Sequence, residues 1–281
     1  MPSFFHKHTK AFAFKIDKPR YIFYNNYRTQ NNTTGICQLK GECIMTKQQF
    51  PPFEPVKIGE KFWAIEQGGV RCYLFEGDDM ALLVDAGFGG DLKSVCEKLT
   101  DKPIQLLITH ADGDHMGAAW QFGPYYMHPS EFSYYHMRNG KQPDAIPLWE
   151  GETIDIGNFC FEVIFIPGHT PGSIALLERN QRFILTGDTV ATVPVYMFGN
   201  GRNLPAYLAS IKKLKEIQDS FDEIWPAHGK MPLPVSMLKE LCQLAGEITT
   251  GKWPQPQDAP AHMPESVKIY GKNGVGFYLE K

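Results

Sequence analysis

From about residue 53 onward, short apolar runs alternate with polar stretches rich in glycine and proline; the runs fall at 62–66, 72–76, 81–85, 104–109, 159–166, 174–178 and 183–186. Runs of this length, bounded by turn residues, predict buried strands rather than helices. Two later segments carry a helical period instead. Leu208, Ile211, Leu214 and Ile217 fall on one stripe of 204–218, and Leu238, Leu241 and Leu244 do the same in 235–248. The stretch 253–264, with four prolines and no apolar period, predicts an irregular crossing, and 267–270 with 275–279 predict a hairpin around Lys272-Asn273-Gly274. Many strands with a few interspersed helices fit one α/β domain built from two sheets with helices outside.

Composition changes this picture mainly at the N-terminus. Residues 1–44 hold seven basic residues against two acidic ones, a balance of +5 in a chain whose net charge is −3. With no sustained apolar period in that segment, residues 1–52 are expected to be a poorly ordered extension or an over-called start ahead of Met45, with an organelle-targeting peptide as the sharper alternative. A domain over 53–250 and a C-terminal segment over 251–281 that completes it are then expected. The whole chain has 28 basic and 31 acidic residues, so no basic field points to nucleic acid or an anionic membrane as a partner. No stretch approaches the roughly 20 apolar residues of a membrane span. Six cysteines without a CxxC pair read as free thiols of a reducing compartment, and a cytoplasmic location is expected.

The chemistry concentrates in one segment. His110-Ala111-Asp112-Gly113-Asp114-His115 follows an apolar run and places four metal-ligand types within six residues. Asp112 and Asp114 would repel each other without a cation, whereas a divalent ion turns that repulsion into binding. Three further apolar runs lead into glycine-bearing turns that each hold one ligand type: Pro167-Gly168-His169-Thr170, Thr186-Gly187-Asp188-Thr189 and Pro226-Ala227-His228-Gly229. Each turn alone is ordinary turn chemistry; the succession of four is not.

With these motifs the sequence resembles the metallo-β-lactamase superfamily, whose signature is a His-x-His-x-Asp-His cluster, then a His in a Gly-His-Thr turn, an Asp in a Gly-Asp turn and a His near Gly. Val84-Asp85-Ala86-Gly87 resembles that family's first motif. The resemblance implies an αββα sandwich of two mixed sheets flanked by helices. It also implies two divalent ions at one edge, zinc first and iron or manganese as alternatives. One site would draw on His110, Asp112 and His169 and the other on Asp114, His115 and His228, with Asp188 bridging and Asp85 supporting from behind. Asp114 and Asp188 would take part in catalysis, and a hydroxide shared by the ions would hydrolyse a small-molecule ester, thioester, lactone or phosphoester.

One position departs from the pattern. Asp112 stands where the family has its second histidine, which adds a negative charge and favours oxygen-seeking metals. A di-iron redox or oxygen-sensing protein on the same fold, or a non-catalytic metal-binding module, is therefore the alternative reading. Tyr196, Arg202, Arg138 and Trp149 are candidates to wall a pocket for an apolar substrate with one anionic group, while His128 and His136 sit in no ligand motif.

Overall fold

The computed structural model describes residues 50–281; of the extension expected over 1–52, residues 1–49 lie outside the described residues. The first sheet contains β1 (Glu54–Gly59), β2 (Phe62–Gln67), β3 (Val70–Glu76) and β4 (Ala81–Val84), followed by α1 (Leu92–Cys96), β5 (Ile104–Leu107), α2 (Gly113–Met116), β6 (Tyr125–Met127), α3 (Ser130–Asn139) and β7 (Ala145–Pro147). Its seven strands lie in sequence order, antiparallel up to β4 and parallel from β4 to β7. The second half contains β8 (Thr153–Asp155), β9 (Cys160–Phe165), β10 (Ile174–Glu178), β11 (Phe183–Gly187), β12 (Val195–Tyr196), α4 (Leu204–Glu216), β13 (Glu223–Pro226), β14 (Leu233–Pro234), α5 (Met237–Thr249), β15 (Pro256–Asp258), β16 (Val267–Lys272) and β17 (Val275–Glu280). A six-stranded sheet runs β14-β13-β11-β10-β9-β8, and a four-stranded one runs β12-β17-β16-β15.

Strand alternation explains the layering. Successive side chains point to opposite faces, so a strand that is apolar throughout needs cover on both sides. On β3, Tyr73 and Phe75 join the core between the two large sheets, while Cys72 and Leu74 join a core under α1 and α3. On β10, Ile174 and Leu176 meet that inter-sheet core, while Ala175 and Leu177 face α4 and α5. The result is an αββα sandwich whose central layer is aromatic: Phe183 stacks on Trp225 at 4.1 Å and Phe75 meets Phe161 edge-on at 4.9 Å.

Beyond the short elements that carry no pattern of their own, the structure departs from the sequence reading in the C-terminal region and after β5. There is a third sheet, because the C-terminal hairpin of β16 and β17 takes up β12 in parallel on one side and β15 on the other. The four-proline stretch therefore contains a short strand; β15 is an exposed edge, where proline is tolerated. The run 104–109 leaves the sheet after Leu107. Ile108 still donates to Tyr126 O, but the Thr109 amide turns to the Asp85 carboxylate.

Candidate active site

The ligand types of the four motifs all leave strands or turns at one edge of the sandwich. Asp85 follows β4 in a left-handed conformation (φ 65°), and its carboxylate accepts from the Thr109 amide (2.8 Å), the Thr109 hydroxyl (2.9 Å) and His115 Nδ1 (2.8 Å). Those bonds tie the loop after β5 and the short α2 to the end of β4. Asp112 is the N-cap of α2 in extended backbone, and Asp114 and His115 lie in the turn itself. His169 follows Gly168, whose φ of 138° and position against α4 exclude any other residue: a Cβ there would lie 2.3 Å from the Tyr207 backbone nitrogen. Asp188 follows the last residue of β11, and His228, just past β13, bridges to Val70.

These turns converge. His110, Asp112 and His169 form one group, Asp114, His115 and His228 another, and His110, His115 and Asp188 a third that joins them. Asp188 faces both ways. Its Oδ1 lies 3.2 Å from His115 Nε2 and 3.3 Å from His228 Nε2, and its Oδ2 lies 3.5 Å from His169 Nε2 and 3.9 Å from His110 Nε2. On one side Asp112 Oδ2 is 3.3 Å from His169 Nε2, and on the other Asp114 Oδ2 is 3.2 Å from His228 Nε2.

The outer nitrogens fix which atom each imidazole presents. His169 Nδ1 faces Tyr196 O (3.0 Å) and His228 Nδ1 faces Gly69 O (2.7 Å), carbonyls that only accept; His115 Nδ1 faces the Asp85 carboxylate. His110 Nδ1 faces Thr109 Oγ1 (3.0 Å), whose own hydrogen goes to Asp85. Each Nδ1 is thereby assigned as the donor, so a neutral ring turns the Nε2 lone pair inward. Two of the converging atoms, His115 Nε2 and Asp188 Oδ1, are buried yet make no hydrogen bond. Orphaned buried polar atoms are costly, and a donor set of imidazole nitrogens and carboxylate oxygens fits divalent metal ions.

Electrostatics agree with that fit. Burial works against charge on His115, but Asp188, Asp114 and Asp85 outweigh it and hold its pKa well above the histidine range. His228 is likewise raised to about 10, against burial, chiefly by Asp188. His110 moves the other way, because burial and the neighbouring His115 disfavour its cation. The half of the pocket around His115 and His228 is thus the one where carboxylates dominate.

The sequence profile of the metallo-beta-lactamase superfamily matches residues 65–224, more than half of the chain. The chain belongs to the metallo-beta-lactamase superfamily. Among curated relatives it is 30% identical over 141 residues to the probable metallo-hydrolase YqgX of Bacillus subtilis, covering 43% of this chain and 65% of that protein. It is 24% identical over 219 residues to the acyl-coenzyme A thioesterase MBLAC2 of Gallus gallus, covering 62% and 77%. The fold matches a metallo-beta-lactamase from Pontibacter korlensis with a TM-score of 0.61 at 21% identity, over 69% of this chain and 99% of that one.

Asp112 is held through both of its carboxylate oxygens. Its Oδ1 accepts from Tyr134 (2.7 Å) and Arg138 (3.3 Å), and its Oδ2 accepts from Arg202 (2.5 Å). The negative charge that an aspartate adds at this position is thus offset by two guanidiniums. Arg202 also donates to His169 O and is 8% exposed at its side chain, so its guanidinium is engaged by protein partners; Arg138 is 37% exposed. Tyr196 contributes its backbone carbonyl to His169 and packs its ring on Phe198 and Tyr278. Trp149 is 54% exposed and meets the His128 ring edge-on at 5.5 Å.

Two supporting residues escaped the sequence reading. Glu131 of α3 is fully buried and accepts from the amides of Ala111 (2.7 Å) and Gly172 (2.5 Å), bracing the His110 and His169 turns against each other. Arg71 of β3 donates to Pro226 O (2.8 Å) and Gly229 O (3.0 Å) on either side of His228. Neither contact leaves a sequence signal, since the partners are 20 to 158 residues away.

Proposed function

We propose that the chain is a metal-dependent hydrolase that uses two divalent ions, zinc first, to cleave a small-molecule ester, thioester, lactone or phosphoester. The observation that carries this reading is the convergence of four inward Nε2 atoms with Asp112, Asp114 and Asp188 around the orphaned His115 Nε2 and Asp188 Oδ1. His110, Asp112 and His169 would hold one ion and Asp114, His115 and His228 the other, with Asp188 shared between them. Bound ions of this kind polarise a scissile carbonyl or phosphoryl group and make water nucleophilic near neutral pH. The protein's own part is to fix the donors: Asp85, Thr109, Gly69 and Tyr196 orient the imidazoles, and Asp114 and Asp188 would take part in catalysis by accepting a proton from the attacking water. Among the ester classes the thioester has added support from the relative named as an acyl-coenzyme A thioesterase. Arg138, beside the first group and partly exposed, is the candidate to meet an anionic group of the substrate, and Trp149 and Tyr196 are candidates for apolar contact.

No described helix is long and apolar enough to cross a membrane. Cys72, Cys96, Cys160 and Cys242 are free thiols, in keeping with the reducing, cytoplasmic compartment read from the sequence. The test is a panel of acyl-coenzyme A thioesters, a lactone, an aryl acetate and an aryl phosphodiester, assayed with the zinc-loaded full chain. Hydrolysis of at least one, lost in Asp188→Ala, is the expected result. No turnover of any of them by protein that holds two zinc ions would count against catalysis and for a binding module.

A further inference from the structure

The two halves of the ligand cluster are not electrostatically equivalent. Around Asp114, His115, His228 and Asp188 the only cationic partners within ion-pair distance among the described residues are the histidines themselves, and the two orphaned buried atoms lie here. Around His110 and His169, the one further carboxylate, Asp112, already has both oxygens engaged: Tyr134 and Arg138 on Oδ1, Arg202 on Oδ2. Oδ2 is also the oxygen that faces His169 (3.3 Å) and His110 (3.7 Å), so a metal ion held there would share its only unbridged carboxylate oxygen with a guanidinium 2.5 Å away. Arg202 cannot withdraw easily, because its second nitrogen holds His169 O and its side chain is 8% exposed. An arginine keeps its charge at any ordinary pH, so the repulsion it exerts on a neighbouring cation is permanent.

We infer that the two metal positions load unequally and in a fixed order, the Asp114–His115–His228–Asp188 position first, and that Arg202 is the positioning residue that sets the gap by sharing Asp112 with the second ion. This deepens the metallohydrolase reading and rests on it. The enzyme would hold one ion over a wide range of metal supply and two only when supply is high, and the guanidinium would keep Asp112 aimed at the weaker position while that position is vacant. Tyr134 and Arg138 hold the other oxygen and would keep the carboxylate in place in an Arg202 variant.

The test is zinc titration of the metal-free full chain by calorimetry, with native mass spectrometry counting bound ions at each step. Wild type should bind two ions in two steps separated by tenfold or more in affinity. His228→Ala should remove the tight step, and Asp112→Asn should leave the tight step in place and remove the weak one. Arg202→Met should narrow the gap by tenfold or more, while Arg202→Lys, which keeps the charge, should retain most of it; if the Met variant does not fold, the Lys and Asn variants still separate the two steps. Two ions bound with equal affinity, a gap unchanged in Arg202→Met, or a tight step removed by Asp112→Asn would each overturn the inference while leaving a two-metal hydrolase intact. Absence of any zinc uptake would overturn both.

Discussion

Glu131 shows how much of a metal centre is built by residues that touch no metal. Its two oxygens accept from two backbone amides on different motif turns, and burial pushes its carboxyl pKa up. Glu131→Gln keeps the shape but turns an N–H toward one of those amides. Losing that bond should cost about 1–3 kcal/mol of stability and, through misplaced turns, lower kcat/KM about 10- to 100-fold. Metal content and kinetics of the variant check this, and a kcat/KM within twofold of wild type with normal metal content would refute the bracing role. The candidate ligands were readable because each sits in its own strand-to-turn segment, where local sequence decides local geometry. The destination of Arg202 was not readable: its partner Asp112 is 90 residues away, and an arginine near a site reads equally well as a substrate contact or as a buried counter-charge.

At the scale of elements, α3 is the piece that sequence patterning overlooks. Its buried positions are Glu131 and Tyr134, one of them charged, so the helix has no apolar stripe to count. Its start is organised by His128, whose Nδ1 accepts from Ser130 N (3.2 Å) while the ring stacks on Phe165 at 4.2 Å. Burial against that ring lowers the His128 pKa below its ordinary 6.5. The unfolded chain takes up the proton more readily, so the stability from this site is complete above about pH 6.5 and is lost as pH falls from there through the folded value. His128→Asn keeps a capping acceptor and removes the titration. Its urea midpoint should therefore depend less on pH between about 5 and 7 than that of wild type, and parallel pH profiles for the two proteins would show that His128 is not the sensor. By contrast the terminal hairpin was legible, because Asn273 and Gly274 both take positive φ (53° and 80°), as a two-residue turn between strands requires.

At the scale of the whole molecule, strands apolar on both faces announce two stacked sheets with outer cover, and that part of the architecture could be read in advance. The third sheet could not, since it joins Val195 to Phe277 through a two-residue strand that carries no pattern of its own. The core between the large sheets holds the edge that carries the motifs, and its aromatic stack should be the most sensitive point. Phe183→Ala, which empties the space against Trp225, should cost about 3–5 kcal/mol, read as a lowered denaturant midpoint; a loss below 1 kcal/mol would mean that the inter-sheet layer does not hold the fold together. Removing and returning the metal shows whether hydrolysis depends on an ion held by the convergent histidines and aspartates. The hydrolysis rate of the full chain on its best substrate from the panel is followed as purified, after chelator removal of metal verified by elemental analysis, and after zinc is returned. The rate should fall at least a hundredfold on removal and return with zinc; an undiminished rate in verified metal-free protein would contradict the account.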